Sequence, residues 1–225
     1  MEEEWRHFQL KHPFTCLISG PTGSGKTVLV RRLLKNFDVL LYPDFDQINV
    51  LWIHGANQSL HGIPISDSVH VTYTEEFPND FSSVKPDVVV IDDMMSELSK
   101  NKKLVDLFMK TSHHLGISVF FIVQNLFFQS PVMRTVSLNC HYMFFLKNPR
   151  DKMQTLALAK QLYPGKTPMF MEAYEDATQG AHSYIMIDLS PDTPEKYRLR
   201  TRTTPEEIPH LNTLIAPIVY IPKNV

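Results

Sequence analysis

Residues Gly20-Pro21-Thr22-Gly23-Ser24-Gly25-Lys26-Thr27 bring together three glycines, a lysine and a hydroxyl in the pattern G-x-x-x-x-G-K-[ST]. That spacing suits phosphate chemistry. Gly20, Gly23 and Gly25 permit backbone dihedrals and close approaches that a side chain would block, so successive N–H groups can wrap a β-phosphate at a helix N-terminus. Lys26 adds a charge that reaches the β- and γ-phosphates. The Thr27 hydroxyl is placed to coordinate Mg2+, whose remaining ligands would be phosphate oxygens and water. The loop follows an apolar run, Phe14–Gly20, and precedes a helical segment, as the mechanism requires.

A second acidic site is expected on a neighbouring strand. Val88-Val89-Val90-Ile91 carries Asp92 and Asp93 to what should be a strand's C-terminal end, where open α/β sheets bind ligands. Asp92 is assigned to the Mg2+ site and Asp93 to polarising the attacking water, the alternative for Asp93 being an ordinary turn residue. Gln124 closes the apolar run Ser118–Gln124, where it would touch a γ-phosphate or the water; otherwise it is a strand-end cap.

The elements that must position these groups alternate between two periods. The helix after the phosphate loop carries Leu29, Val30, Leu33, Leu34 and Phe37 on one side, with Arg31, Arg32 and Lys35 on the other. Strands are expected at Gln47–Gly55, Ser68–Thr74, Asp87–Asp93, Ser118–Gln124 and Tyr142–Asn148. Helices are expected over Lys102–Leu115, with the stripe Leu104, Val105, Phe108, Met109 and Leu115 and a stop at Gly116, and from Asp151 to Leu162. This alternation predicts an α/β fold with a central, mainly parallel sheet covered by helices on both faces, plus extra C-terminal strands at His182–Leu189 and Tyr197–Arg202. Residues 1–203 read as one domain with 1–13 as a packed extension. Pro205, Pro209, Pro217 and Pro222 mark 204–225 as an extended arm.

The 225 residues, 43% of them hydrophobic, suffice to bury one core. No run of about 18 apolar residues occurs, so no membrane span is expected, and the acidic start MEEEWRHF has no secretory h-region. A soluble, intracellular protein is expected. Cys16 and Cys140 are too few for a disulfide framework, and the ten histidines lack zinc spacing. A net charge of −2 gives no global basic field, so any DNA contact would need a local patch or a pore.

Arg198, Arg200 and Arg202 would share one face of a strand, fitting a charged edge or a phosphate track. Lys100, Lys102 and Lys103 at a helix start fit a solvated face, with a DNA contact as the alternative. Trp5, Phe8 and Phe14 are expected to pack on the sheet edge.

GPTGSGKT, VVVIDD, SHHLGISVFFIVQN and HYMFFLKNPRD, in this order, resemble the FtsK–HerA superfamily of DNA-pumping ATPases, within the ASCE division of P-loop NTPases. The resemblance spans roughly Phe14 to Asp151 and is nearest to the packaging ATPases of poxviruses, adintoviruses and Maverick/Polinton elements. It implies ATP and Mg2+ as cofactors. It also implies a homo-oligomeric ring of five or six subunits acting on double-stranded DNA with capsid or portal proteins, in an infected or element-bearing cell. Each site in such a ring is completed by a neighbour's cation. Where the cellular pumps carry an arginine, this chain reads Lys110-Thr-Ser-His113-His114-Leu-Gly116, which leaves Lys110, His113, Arg134 and Arg150 as candidates beside the alternative of solvated surface residues. The function expected is ATP-driven DNA packaging. The alternatives are a nucleotide or small-molecule kinase, a GTP-operated switch without a guanine-reading Asn-Lys-x-Asp, and a transposon-derived nucleotide-binding remnant.

Overall fold

The computed structural model describes residues 5–55, 63–94, 101–126, 131–207 and 217–222. Its centre is β2 (Thr15–Ser19), whose five residues are all buried because parallel neighbours lie on both sides and helices cover both faces. The nine-stranded sheet runs β11-β10-β9-β8-β2-β7-β6-β4-β5. Its parallel part comprises β4 (Ile48–His54), β5 (Val69–Thr74), β6 (Val88–Asp92), β7 (Ser118–Val123) and β8 (Tyr142–Leu146) with β2. Beyond β8 the sheet turns antiparallel through β9 (Tyr184–Asp188), β10 (Leu199–Thr201) and β11 (Ile218–Val219). A separate two-stranded sheet pairs β1 (Leu10–Lys11) with β3 (Leu41–Tyr42).

Strand alternation divides the core between two faces. In β6, Val88 and Val90 join one hydrophobic cluster while Val89 and Ile91 join the other, so the strand is apolar throughout. Helix α1 (Lys26–Lys35) buries Leu29, Val30, Leu33 and Leu34 as its periodicity requires, and the short α2 (Phe37–Leu40) continues with Phe37 and Leu40. Asn101 caps α3 (Lys102–Asp106) by accepting from the Lys103 N–H at 2.9 Å. A π-helical turn, Leu107–Thr111, and α4 (Ser112–Leu115) follow, ending at Gly116 with φ 64°. Further helices are α5 (Pro131–Leu138), α6 (Lys152–Leu162), capped by Asp151, and α7 (Thr167–Ala177).

Several expectations need correction. The stripe assigned to 102–115 is wrong at Met109 and Leu115, which are 47% and 44% exposed, while Leu107 is buried beside Leu104 and Phe108. The wide π turn breaks the 3.6-residue period on which that stripe was read. Nor do the three C-terminal arginines share a face. β10 is an interior strand between β9 and β11, and Arg200 is 0% exposed, its guanidinium 2.5 Å from Asp188. Arg198 precedes the strand and donates to Glu195 and to the Asp188 and Ser190 carbonyls, and Arg202 follows it with φ 53°. Phe14 packs centrally between Phe120 and Tyr142, not on an edge.

In the segment expected to be an extended arm, Pro205–Glu207 form a 3-10 turn against α1. Glu207 pairs with Arg32 at 2.9 Å, and Glu206 meets Lys35 and Asn36. Pro209 and Lys100 lie outside the described residues.

Candidate functional site

The C-terminal ends of β2, β6 and β7 converge on one cleft of about 390 Å3. Its lining includes Gly25, Lys26, Thr27, Asp92, Asp93 and Gln124. The convergence follows from strand order. β7 lies between β2 and β6, so Gln124 emerges between the phosphate loop and the acidic pair.

The loop Gly20–Gly25 links β2 to α1. Gly25 is the residue before the helix, at φ 95°, and a Cβ there would stand 3.1 Å from the His182 ring. At Gly20 a Cβ would meet the Leu146 Cβ at 2.8 Å, so only glycine lets the loop leave the sheet beside β8. The Ser24 N–H donates to the Pro21 carbonyl at 3.1 Å, closing the turn through Thr22 and Gly23. Lys26 Nζ folds back to donate to the Gly20 and Pro21 carbonyls at 2.7 and 2.9 Å. Burial lowers the Lys26 pKa, while Asp92 and Asp93 act in the opposite direction and favour its charged form.

Thr27 Oγ1 donates to Asp92 Oδ2 at 2.9 Å. The pairing brings a hydroxyl and a carboxylate from β6 together beside the loop, a set of hard oxygens suited to Mg2+. Asp92 is buried at the end of its strand and Asp93 follows with φ 57°. Gln124 Nε2 donates to Asp93 Oδ1 at 2.9 Å, which orients the carboxylate and leaves Oδ2 as a further acceptor. The Asp92, Asp93, Gln124, Lys26 and Thr27 assignments thus fall in one place.

Two residues near this cleft were not foreseen. His54 ends β4 directly opposite Asp92, buried, with its Nδ1 2.7 Å from the Gly55 carbonyl. The rule that singles out Asp92 and Gln124, a polar residue at the end of an apolar strand, applies equally to His54. His182 comes from the turn before β9, and its Nδ1 lies 3.1 Å from the Ser24 carbonyl. No local signal marks it.

The four trans-acting candidates separate. Arg150, after β8, lines a smaller cleft of about 220 Å3 with Pro21, Thr22, Gly23, Ser24, Lys147 and His182, next to its own phosphate loop. His113, on α4, stacks edge-on against His141 at 5.4 Å. His141 Nδ1 bonds the Thr15 backbone at the N-terminal end of β2, so His113 lies at the opposite end of the sheet from the cleft. Burial lowers the His141 pKa, and His113 adds to the effect. Lys110 is exposed on the π turn and Arg134 is exposed on α5.

No family profile and no curated protein matches the chain. Solved structures do. The genome packaging NTPase B204 of Sulfolobus turreted icosahedral virus 2, in complex with ATP-gammaS, superposes with a TM-score of 0.54 at 14% identity, covering 84% of this chain and 96% of B204. Its complex with AMPPCP gives 0.52 at 14% identity, over 79% and 93%. B204, the DNA-packaging ATPase from Sulfolobus turreted icosahedral virus, gives 0.51 at 15% identity, over 79% and 94%. The chain therefore has the α/β fold of the P-loop NTPases, with a large, mostly parallel central sheet, and shares that fold with viral packaging NTPases over most of its length.

Proposed function

We propose that this chain is an ATP-hydrolysing motor of the FtsK–HerA type that drives double-stranded DNA into a viral or virus-like capsid. The observation that carries the reading is the pair of contacts Thr27–Asp92 and Gln124–Asp93, which set a hydroxyl–carboxylate pair suited to a cation and an oriented carboxylate in the same cleft as Lys26. Near full-length likeness to structures of packaging NTPases supports the choice among P-loop functions.

The residues divide the work. The backbone N–H groups of Gly23–Thr27 cradle the phosphates of ATP, and Lys26 exchanges its carbonyl partners for phosphate oxygens. Thr27 and Asp92 would hold Mg2+, which would supply Lewis-acid charge to the phosphate oxygens. Asp93, oriented by Gln124, accepts a proton from the attacking water and aligns it with the γ-phosphate. In a ring of five or six subunits, a neighbour would complete each site with a cation and couple turnover to movement of DNA towards a capsid or portal.

The test is steady-state ATP hydrolysis with and without long double-stranded DNA, over protein concentrations that span assembly. DNA stimulation that rises cooperatively with concentration is expected. Turnover indifferent to both would overturn the motor and favour a monomeric phosphotransferase.

A further inference from the structure

The turn that contributes His182 has no part in the chemistry described so far, yet it touches the phosphate loop across 158 positions of sequence. Three observations converge on this residue. His182 holds a left-handed backbone, φ 58°, which a non-glycine residue adopts rarely and which recurs at functional sites. Its ring lies on Gly25, at 3.1 to 3.3 Å from the place a Cβ would occupy, and its Nδ1 is 3.1 Å from the Ser24 carbonyl. It lines both the catalytic cleft and the smaller cleft on the β8 side of the loop, and it remains exposed.

The chemistry of the ring then follows from its partner. A carbonyl oxygen only accepts, so Nδ1 must carry the proton it donates to Ser24. In the neutral ring, Nε2 is left with a lone pair. Phosphate oxygens are acceptors and find no hydrogen bond there, whereas a hydroxyl does. Position favours the same ligand. Asp92, Asp93 and Gln124 mark the γ-phosphate end of the cleft, on the β6 and β7 side of the loop. The cleft with Lys147, Pro149 and Arg150 lies on the β8 side, away from those carboxylates, and offers room for the nucleoside end of the same ligand.

We propose that His182 is a nucleotide-contacting residue whose Nε2 accepts a hydrogen bond from a ribose hydroxyl, so that the C-terminal third of the chain makes the site selective for ribonucleotides. This rests on the reading of the cleft as an ATP site. The turn is anchored for the purpose: the Ser183 carbonyl accepts from the Lys147 N–H at 3.0 Å, which starts the pairing of β8 with β9 immediately after His182.

Calorimetric titration of the full chain with Mg2+ and ATP, 2′-deoxy-ATP, 3′-deoxy-ATP or 2′,3′-dideoxy-ATP tests the assignment. The unaltered protein should bind ATP about five- to tenfold more tightly than the dideoxy analogue, the range of one hydrogen bond. His182→Phe, which keeps a ring on Gly25 without an acceptor, should bind both alike. His182→Asn, whose amide can donate to Ser24, accept a hydroxyl and adopt the left-handed backbone, should restore the preference. Equal affinity of the unaltered protein for ATP and the dideoxy analogue would overturn the proposal while leaving the ATP site in place. So would a His182→Phe loss shared equally by all four nucleotides. Failure of the unaltered protein to bind any of them would remove both the proposal and the reading beneath it.

Discussion

Gln124 and Asp93, 31 positions apart in sequence, meet across 2.9 Å because their strands are adjacent and end within one residue of each other in register. The amide donates to one carboxylate oxygen and fixes the direction of the other. Replacing Gln124 with alanine should lower kcat by about 10- to 100-fold with little change in KM. Asp93→Asn should cost about 100-fold or more, the scale of a lost general base. Single-turnover hydrolysis on folded variants measures both. An Asp93→Asn variant of normal rate would assign the base elsewhere.

Lys26→Ala should weaken ATP binding by roughly 1.5–3 kcal/mol through loss of a charge-assisted contact. Asp92→Asn should instead raise the Mg2+ concentration needed for half-maximal binding, because one of the two oxygens paired at 2.9 Å becomes neutral. Titrating the metal at fixed ATP separates the two variants.

Gly25→Ala should destabilise the protein by about 1–2 kcal/mol, the usual cost of a left-handed non-glycine residue. The new methyl group would also press on the His182 ring, 3.1 Å from its position. Urea denaturation gives the first effect and nucleotide titration the second, and both should appear together.

The Arg200–Asp188 pair is buried on both sides. Arg200→Leu alone should cost about 3–5 kcal/mol because it strands the carboxylate, whereas adding Asp188→Leu should recover much of that loss. A double-mutant cycle in urea tests the sign. A double variant weaker than either single one would contradict this account.

Both cysteines should resist alkylation in the native state. Burial pushes the Cys16 thiol well above its ordinary value, with Cys140 adding to the effect, and burial pushes Cys140 up to about 12. Thiolate is the reactive form, so neither should react with iodoacetamide at pH 8, and both should react once the chain is unfolded. Mass spectrometry of the labelled protein reads the outcome.

How much of this was legible beforehand depends on the range of the interaction. Gly20–Thr27, Asp92 and Gln124 could be placed because a local motif and the ends of apolar strands announce them. His54 obeys the same strand-end logic. His182 could not be found, since its contact with Ser24 spans 158 positions and no periodicity encodes it. Alternation in Arg198, Arg200 and Arg202 looks the same whether the middle guanidinium meets water or Asp188; the partner, 12 positions away, decides. Helices α5 and α7 each carried a usable start signal in a proline at or next to their first residue, Pro131 and Pro168. The π turn at Leu107–Thr111 is a departure from the helical period itself, so a method that assumes the period misplaces Met109 and Leu115.

The sheet ends differently on its two sides, and this governs how it could be extended. On one margin β11 is two residues long and bracketed by Pro217 and Pro222, which have no N–H to offer an incoming strand. On the other, β5 runs for six residues, and among the described residues its outer side pairs only through the short bridge at Ser66. Among the described residues, prolines therefore disfavour strand addition at the C-terminal margin, whereas Val69–Thr74 present the longer unpaired edge, so a polar or proline substitution there is the place to suppress sheet-to-sheet association at high concentration.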